Sequence, residues 1–362
     1  MKALMVASVA SMIDQFNREN ISLLQTMGYE VDVACNFEVG NTSSEERVKR
    51  FRQELQKQEV GTFQLPIPRK ILAFSDMIQA YKQLKKMVEE KQYTLVHCHS
   101  PIGSVIARLA CRKQRKKGLK LIYTAHGFHF FTGAPKKNWL IFYPIEKIFA
   151  RYTDILITIC SEDYQRARKK KLGKNIVYSP GVGIDVDKVK KIDKKADKRQ
   201  MLGIREKDIL VLSVGELNQN KNHETIVRAL KQLNRTDVHY VICGQGDKKE
   251  ELERMAKQFG MEERLHLLGF RTDALEWMKV ADLFAFPSYR EGLPVSLMEA
   301  MAAGLPVVCS KIRGNVDLIK DGEGGYMCEP MDVASFAENL SRLIKDAEQR
   351  KCMGEKNQIT VQ

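Results

Sequence analysis

Short apolar runs alternate with longer amphipathic stretches from one end of the chain to the other, and this rhythm sets the fold class. In the first half KALMVASV, YEVDVAC, GTFQLPI, YTLVHCH, KLIYTAH, DILITIC and NIVYSP read as strands, with SDMIQAYKQLKKMVEE and WLIFYPIEKIFARY as helices between them. Several strands are nearly continuous in Val, Ile and Leu, the pattern of parallel strands covered on both faces. After a lysine-rich stretch, DVDKVKKIDKKADKRQM, the rhythm restarts with ILVLSVGE, VHYVICGQG, RLHLLGF, ADLFAFPS and LPVVCS. Each half therefore predicts a doubly wound α/β domain. The expected boundaries are a first domain over 1–185, a connection over 186–205 and a second domain over 206–362. Ligands of such folds bind beyond strand carboxyl ends, so the strand-to-helix loops carry the candidate chemistry.

At 362 residues the chain exceeds one comfortable core, and 44% hydrophobic with 29% charged residues is ordinary for a globular protein. No run approaches the roughly 20 apolar residues of a membrane span. The opening MKALMVASVASMI reads as a buried strand and not a signal peptide, because Lys2 is its whole basic region and Asp14 follows at once. Eight cysteines include no C-x-x-C pair. Cys35, Cys98, Cys160, Cys243 and Cys309 lie in or at the ends of apolar runs, as buried thiols of a reducing cytoplasm do.

Charge changes the picture more. The net +14 falls entirely in residues 1–190, which carry 32 basic and 18 acidic side chains against 27 of each in the remainder. It concentrates in RLACRKQRKKGLK, with Arg108, Arg112, Lys113, Arg115, Lys116, Lys117 and Lys120. Such a patch attracts a nucleic acid, an anionic bilayer or a phosphorylated acceptor; the plain alternative is a solvated helix end. No aromatic residue interleaves RKQRKKGLK, which argues against nucleic acid.

Among the loops, YREGLPVSLMEAMAAG stands out. Gly292, Leu293, Pro294 and Val295 form a helix start whose open N–H groups suit a diphosphate, and Gly304 ends the helix. Glu291 sits at its mouth and Glu299 about one turn deeper. Carboxylates beside a phosphate site are better suited to sugar and ribose hydroxyls than to the phosphate. SVGELNQNKNHE supplies Gly215 and Lys221; YTAHGFHFF supplies His126, with His97, His99 and His129 as spare candidates. CGQGD (Gly244), GFRTD (Arg271) and SKIRGNVDLI (Arg313) are lesser signals.

The spacing of Glu291 and Glu299, after a strand ending in Pro-Ser and before EAMAAGLPVV, resembles the signature of family 4 retaining glycosyltransferases with the GT-B fold. That resemblance implies two Rossmann-like domains facing across a cleft. Glu291 would contact the transferred sugar and Glu299 the ribose. Lys221 would hold the diphosphate, and His126 would lie near the sugar and diphosphate. It also sets Gly215, Gly244, Arg271 and Arg313 around the nucleotide. Glu216 stands where the family usually has Arg, and Arg313 is the candidate replacement charge. The D-x-D at Asp185–Asp187 falls in a structural loop of the family, so neither metal nor other cofactor is expected.

HCHSPIGSVIA, YTAHGFHFF and NWLIFYPIEKIFARYTDILITIC resemble the capsular and exopolysaccharide branch of that family. SVASMIDQF replaces its usual first-loop glycine pair, and the C-terminal segment leaves the closing helix short or missing. The implied activity moves a hexose or N-acetylhexosamine from a UDP-sugar, with GDP-sugar as the second choice. The acceptor would be a polyprenyl-diphosphate-linked saccharide. The basic first domain would rest on anionic lipid at the inner face of the plasma membrane. The alternatives are a nucleotide-sugar 2-epimerase of similar fold and a catalytically impaired scaffold.

Overall fold

Apolar runs without polar alternation are stable as strands only where both sheet faces are covered. The first unit of the computed structural model meets this with seven parallel strands: β1 (Lys2–Val9), β2 (Glu30–Asn36), β3 (Gly61–Gln64), β4 (Leu95–His99), β5 (Lys120–Ala125), β6 (Ile155–Thr158) and β7 (Asn175–Tyr178). Their order is β3-β2-β1-β4-β5-β6-β7. Alternate residues of β1 enter opposite cores, Leu4 and Val6 on one face, Ala3, Met5 and Ala7 on the other.

The second unit repeats the plan with β8 (Ile209–Val214), β9 (Val238–Cys243), β10 (Leu265–Leu267), β11 (Leu283–Phe286), β12 (Val307–Ser310) and β13 (Gly325–Cys328), in the order β10-β9-β8-β11-β12-β13. The described residues are 1–69, 73–193 and 197–362, and they divide into Met1–Val182 and Gly183–Gln362. In each sheet the strand order reverses once, between β1 and β4 and between β8 and β11, and that reversal opens a crevice beyond the strand ends.

The stretch expected as a connection, 186–205, carries two short helices, Val186–Lys190 and Asp197–Gln200; its residues 194–196 lie outside the described residues. Lys198 is buried, its ammonium 2.5 Å from Asp273 and 3.0 Å from Glu276. Ala347–Thr360 is helical and docks on the second unit. Asp346 caps it, and the Asn357 amide donates to the Leu305 and Gly324 carbonyls at 2.7 Å each. β1 runs straight into the Ala10–Phe16 helix, and Ser8 hydrogen-bonds Ser100 at 2.7 Å.

One expectation is corrected. Arg108 is not on the basic surface but fully buried on the core face of the Pro101–Arg115 helix. Its guanidinium lies 2.8 Å from Glu146 and 2.9 Å from the Ser104 hydroxyl, over the Tyr123 ring. Arg115 is half-buried and paired with Asp154 at 2.6 Å. Arg112, Lys113, Lys116, Lys117 and Lys120 remain exposed.

Candidate functional site

The reversal in the second sheet brings together the loops that follow β8 and β11. Backbone and amide bonds stitch them: the Tyr289 N–H donates to the Asn220 carbonyl at 2.8 Å, and the Asn220 amide to the Arg290 carbonyl at 3.0 Å. Asn222 donates to the Pro287 and Pro330 carbonyls. This scaffold sets the Lys221 ammonium 2.7 Å from Glu291 Oε1 and 4.8 Å from the Phe286 ring centroid. From the loop after β12, buried Arg313 donates through Nε to the Glu291 carbonyl at 3.0 Å.

Close backbone crossings explain two glycines. A Cβ at Gly314, where φ is +83°, would lie 1.9 Å from the Gly292 carbonyl oxygen, and one at Gly244 would lie 1.8 Å from that of Gly215. Gly215, Lys221, Gly244, Glu291, Gly292 and Arg313 therefore belong to one assembly of loops. Glu216 is exposed and turned into its own loop, accepting from the Asn218 amide at 2.8 Å. Arg271 is engaged elsewhere, by both carboxylate oxygens of Asp273 at 2.7 and 2.6 Å.

Pro294 sets the entry to the Val295–Ala302 helix, whose first turn has no side-chain cap and no acid, while Leu293 before it is buried. Its first N–H groups are thus left for an anion. Glu299 lies on this helix, largely buried, and burial pushes its pKa up to about 7, with Lys188 partly opposing. The helix start, Lys221 and Arg313 provide positive potential; Glu291 and Glu299 provide acceptors for hydroxyls.

Among the described residues, the buried Oγ atoms of Ser288 and Ser310 and Oδ1 of Asn315 have no hydrogen-bond partner. They stand past β11, at the end of β12 and at the helix start that follows. Buried polar atoms are nearly always satisfied, and these three lie on the segments that carry Glu291 and Arg313. The loop-stitching Asn220 and Asn222 and the two serines escaped the sequence reading. Their one signal is a small hydroxyl residue closing an apolar run, in FPS and in VVCS.

In the first unit His126 lies just past β5, half-buried. Its Nε2 is 3.1 Å from His99 Nδ1, and His99 Nε2 is 3.1 Å from the Met5 sulfur. A thioether only accepts, so His99 carries its proton on Nε2 and accepts at Nδ1. His126 must then donate through Nε2, which leaves its Nδ1 as an acceptor. Burial lowers the His126 pKa to about 4, so the ring is neutral near pH 7. His97 is occupied by Thr124 at 2.8 Å, and the His129 carbonyl accepts from Asn138.

Among the described residues no group of three or more His, Cys, Asp or Glu side chains is placed to hold a metal. Asp185 of the D-x-D caps the Val186–Lys190 helix, accepting from the Lys188 N–H at 2.8 Å.

HepE from Anabaena, solved in complex with UDP-glucose, superposes with a TM-score of 0.77 at 19% identity, covering 100% of this chain and 94% of that one. WaaG, a glycosyltransferase of lipopolysaccharide biosynthesis, superposes with a TM-score of 0.73 at 20% identity, covering 99% and 94%. The two parallel-sheet units thus define the GT-B fold. Residues 194–360 match the model described as glycosyl transferases group 1, and residues 17–186 that described as Glycosyltransferase Family 4. EpsD of Bacillus subtilis (strain 168), named as a glycosyltransferase, is 33% identical over 364 residues, covering 99% of this chain and 91% of that one. The UDP-Gal:α-D-GlcNAc-diphosphoundecaprenol α-1,3-galactosyltransferase of Escherichia coli is 31% identical over 279 residues, covering 75% and 70%. The chain belongs to the family 4, group 1 glycosyltransferases, and it is a glycosyltransferase.

Proposed function

We propose that the enzyme transfers a hexose or N-acetylhexosamine, with retention, from a UDP-sugar to a polyprenyl-diphosphate-linked saccharide during exopolysaccharide assembly. The observation that carries the reading is the cluster of Lys221, Glu291 and Arg313 at the strand-order reversal, beside the uncapped start of the helix that also carries half-buried Glu299. The names of the Escherichia coli relative, a UDP-Gal-dependent transferase acting on a diphosphoundecaprenol-linked sugar, support donor and acceptor alike.

In this reading a diphosphate takes over the Lys221 ammonium and releases Glu291 to the transferred sugar. Glu299, once ionised, accepts from the ribose hydroxyls. Lys221, Arg313 and the helix start stabilise the charge that develops on the departing UDP. Protein cations fill the place of a metal, so transfer persists with a chelator present. In the first unit, His126 offers Nδ1 as an acceptor just past β5. Arg313 replaces the charge that Glu216 does not supply.

The enzyme works peripherally at the cytoplasmic face of the plasma membrane. No described helix is long and apolar enough to cross it. The exposed Arg112, Lys113, Lys116, Lys117 and Lys120 face anionic lipid, each worth about 1 kcal/mol near such a surface.

The test is product analysis with UDP- and GDP-sugars and undecaprenyl-diphosphate saccharides. Anomer-retaining transfer from a UDP-sugar supports the reading. An epimerised nucleotide sugar formed without acceptor would replace it with the epimerase. No conversion under any pairing would point to a scaffold.

A further inference from the structure

The Lys136–Phe149 helix, KKNWLIFYPIEKIF, is apolar enough for a core, yet its one buried residue is Glu146. Its inner side packs through Trp139 and Tyr143, which meet Phe130 edge-on at 5.5 and 5.6 Å. Its outer side presents Leu140, Ile141, Pro144 and Ile148, a row at helical spacing. Leu140 is 77% exposed, Ile141 48% and Ile148 50%. Single exposed apolar residues are ordinary; a continuous row on one helix face marks a contact surface.

The helix is held between two basic neighbours, the Pro101–Arg115 and Ser161–Lys170 helices. Glu146 binds Arg108 on one side, where Arg115 also reaches the Arg151 carbonyl at 3.1 Å. On the other side Lys147 donates to the Lys170 carbonyl at 2.6 Å, at the end of the Ser161–Lys170 helix. Exposed cations therefore flank the row: Lys136, Lys137 and Arg151 along it, Arg112 and Lys116 on one neighbour, Lys169 on the other. An apolar strip between two cationic margins complements an anionic bilayer surface, with hydrocarbon beneath lipid phosphates. A protein partner would be expected to offer acidic side chains instead.

We propose that the outer row of this helix seats in the headgroup region of an anionic bilayer and is the apolar part of the membrane contact. The inference deepens the membrane reading above and rests on it. Pro144 sets the depth: it offers no N–H to the Leu140 carbonyl, which must therefore stay where water reaches. The buried Arg108–Glu146 pair keeps the row rigid relative to the sheet, so the helix is presented ready-formed.

Vesicle flotation of the full chain tests this, with phosphatidylcholine vesicles and with vesicles that also contain phosphatidylglycerol. The wild type floats with the phosphatidylglycerol vesicles. Leu140→Ser combined with Ile148→Ser changes no charge, and partitions about tenfold more weakly or worse. Leu140→Trp with Ile148→Trp binds at least as well as wild type. All three keep the same donor affinity and circular dichroism. Equal flotation of the Ser pair and wild type would overturn the inference while leaving the electrostatic membrane reading intact. Absence of wild-type flotation with either vesicle would remove both. A lipid-free wild-type dimer that the Ser pair dissociates would assign the row to a second copy of the chain, and would also overturn it.

Discussion

Glu299→Gln separates what the buried carboxylate costs the fold from what it gives the ligand. In the folded protein burial raises the Glu299 pKa from 4.5 to about 7. Between those values the folded state holds a proton that the unfolded state has released. Unfolding free energy therefore falls as pH rises through this window, by about 1.4 kcal/mol per unit. The stability is fully present below about pH 4.5 and lost above about pH 7. The total is about 3 kcal/mol, an upper value because local water softens the penalty.

Glutamine does not titrate. The variant should match the wild type near pH 4.5 and exceed it by up to about 3 kcal/mol above pH 7. Guanidinium unfolding followed by Trp277, which is buried in the second unit, reports this in a Trp139→Phe background. Donor affinity should move the other way, weaker in the variant and, in wild type, falling as pH drops below about 7. A stability gap that is the same at every pH would mean that the carboxylate is solvated, and would refute the argument. Buried acids that weaken a fold persist where a ligand needs them.

The other predictions concern the remaining parts of the assembly. Lys221→Ala should weaken UDP-sugar binding about tenfold to hundredfold, the worth of a charge-assisted contact, and Arg313→Ala about tenfold. Unchanged affinity in Arg313→Ala would remove its role as the replacement for the usual arginine. Arg108→Met strands the buried Glu146 carboxylate and should lower stability by about 3–5 kcal/mol in a Trp139-monitored melt, with Glu146→Leu restoring much of it. Met5→Leu deletes the sulfur acceptor, so nitrogen-15 shifts of His126 should lose the pure Nε2–H pattern seen in wild type; a wild-type Nδ1–H pattern would contradict the tautomer assignment.

The strands were legible because a stretch such as ILVLSV admits few placements other than a sheet covered on both faces. β13 was not: GYMC is four residues long and opens on a glycine, too little for a pattern to show. Arg108 was misplaced because it sits in a run of cations. Its spacing from Ser104 and Cys111, which puts it on the core face, was hidden by the charge of its neighbours. Glu291, Glu299 and Lys221 could be named from their motifs. Their geometry could not, since Lys221 and Glu291 are 70 positions apart and Met5 and His99 are 94 apart. Only the strand order brings such residues within reach of each other.

The central claim is that the loops after β8, β11 and β12 grip an activated sugar by its diphosphate and hydroxyls. Calorimetric titration of wild type, Lys221→Ala and Glu299→Gln with a panel of UDP- and GDP-sugars tests it most directly. The account predicts saturable, metal-independent binding of a UDP-sugar to wild type, weakened by both substitutions. Binding that neither substitution alters, or no binding of any nucleotide sugar by wild type, would contradict it.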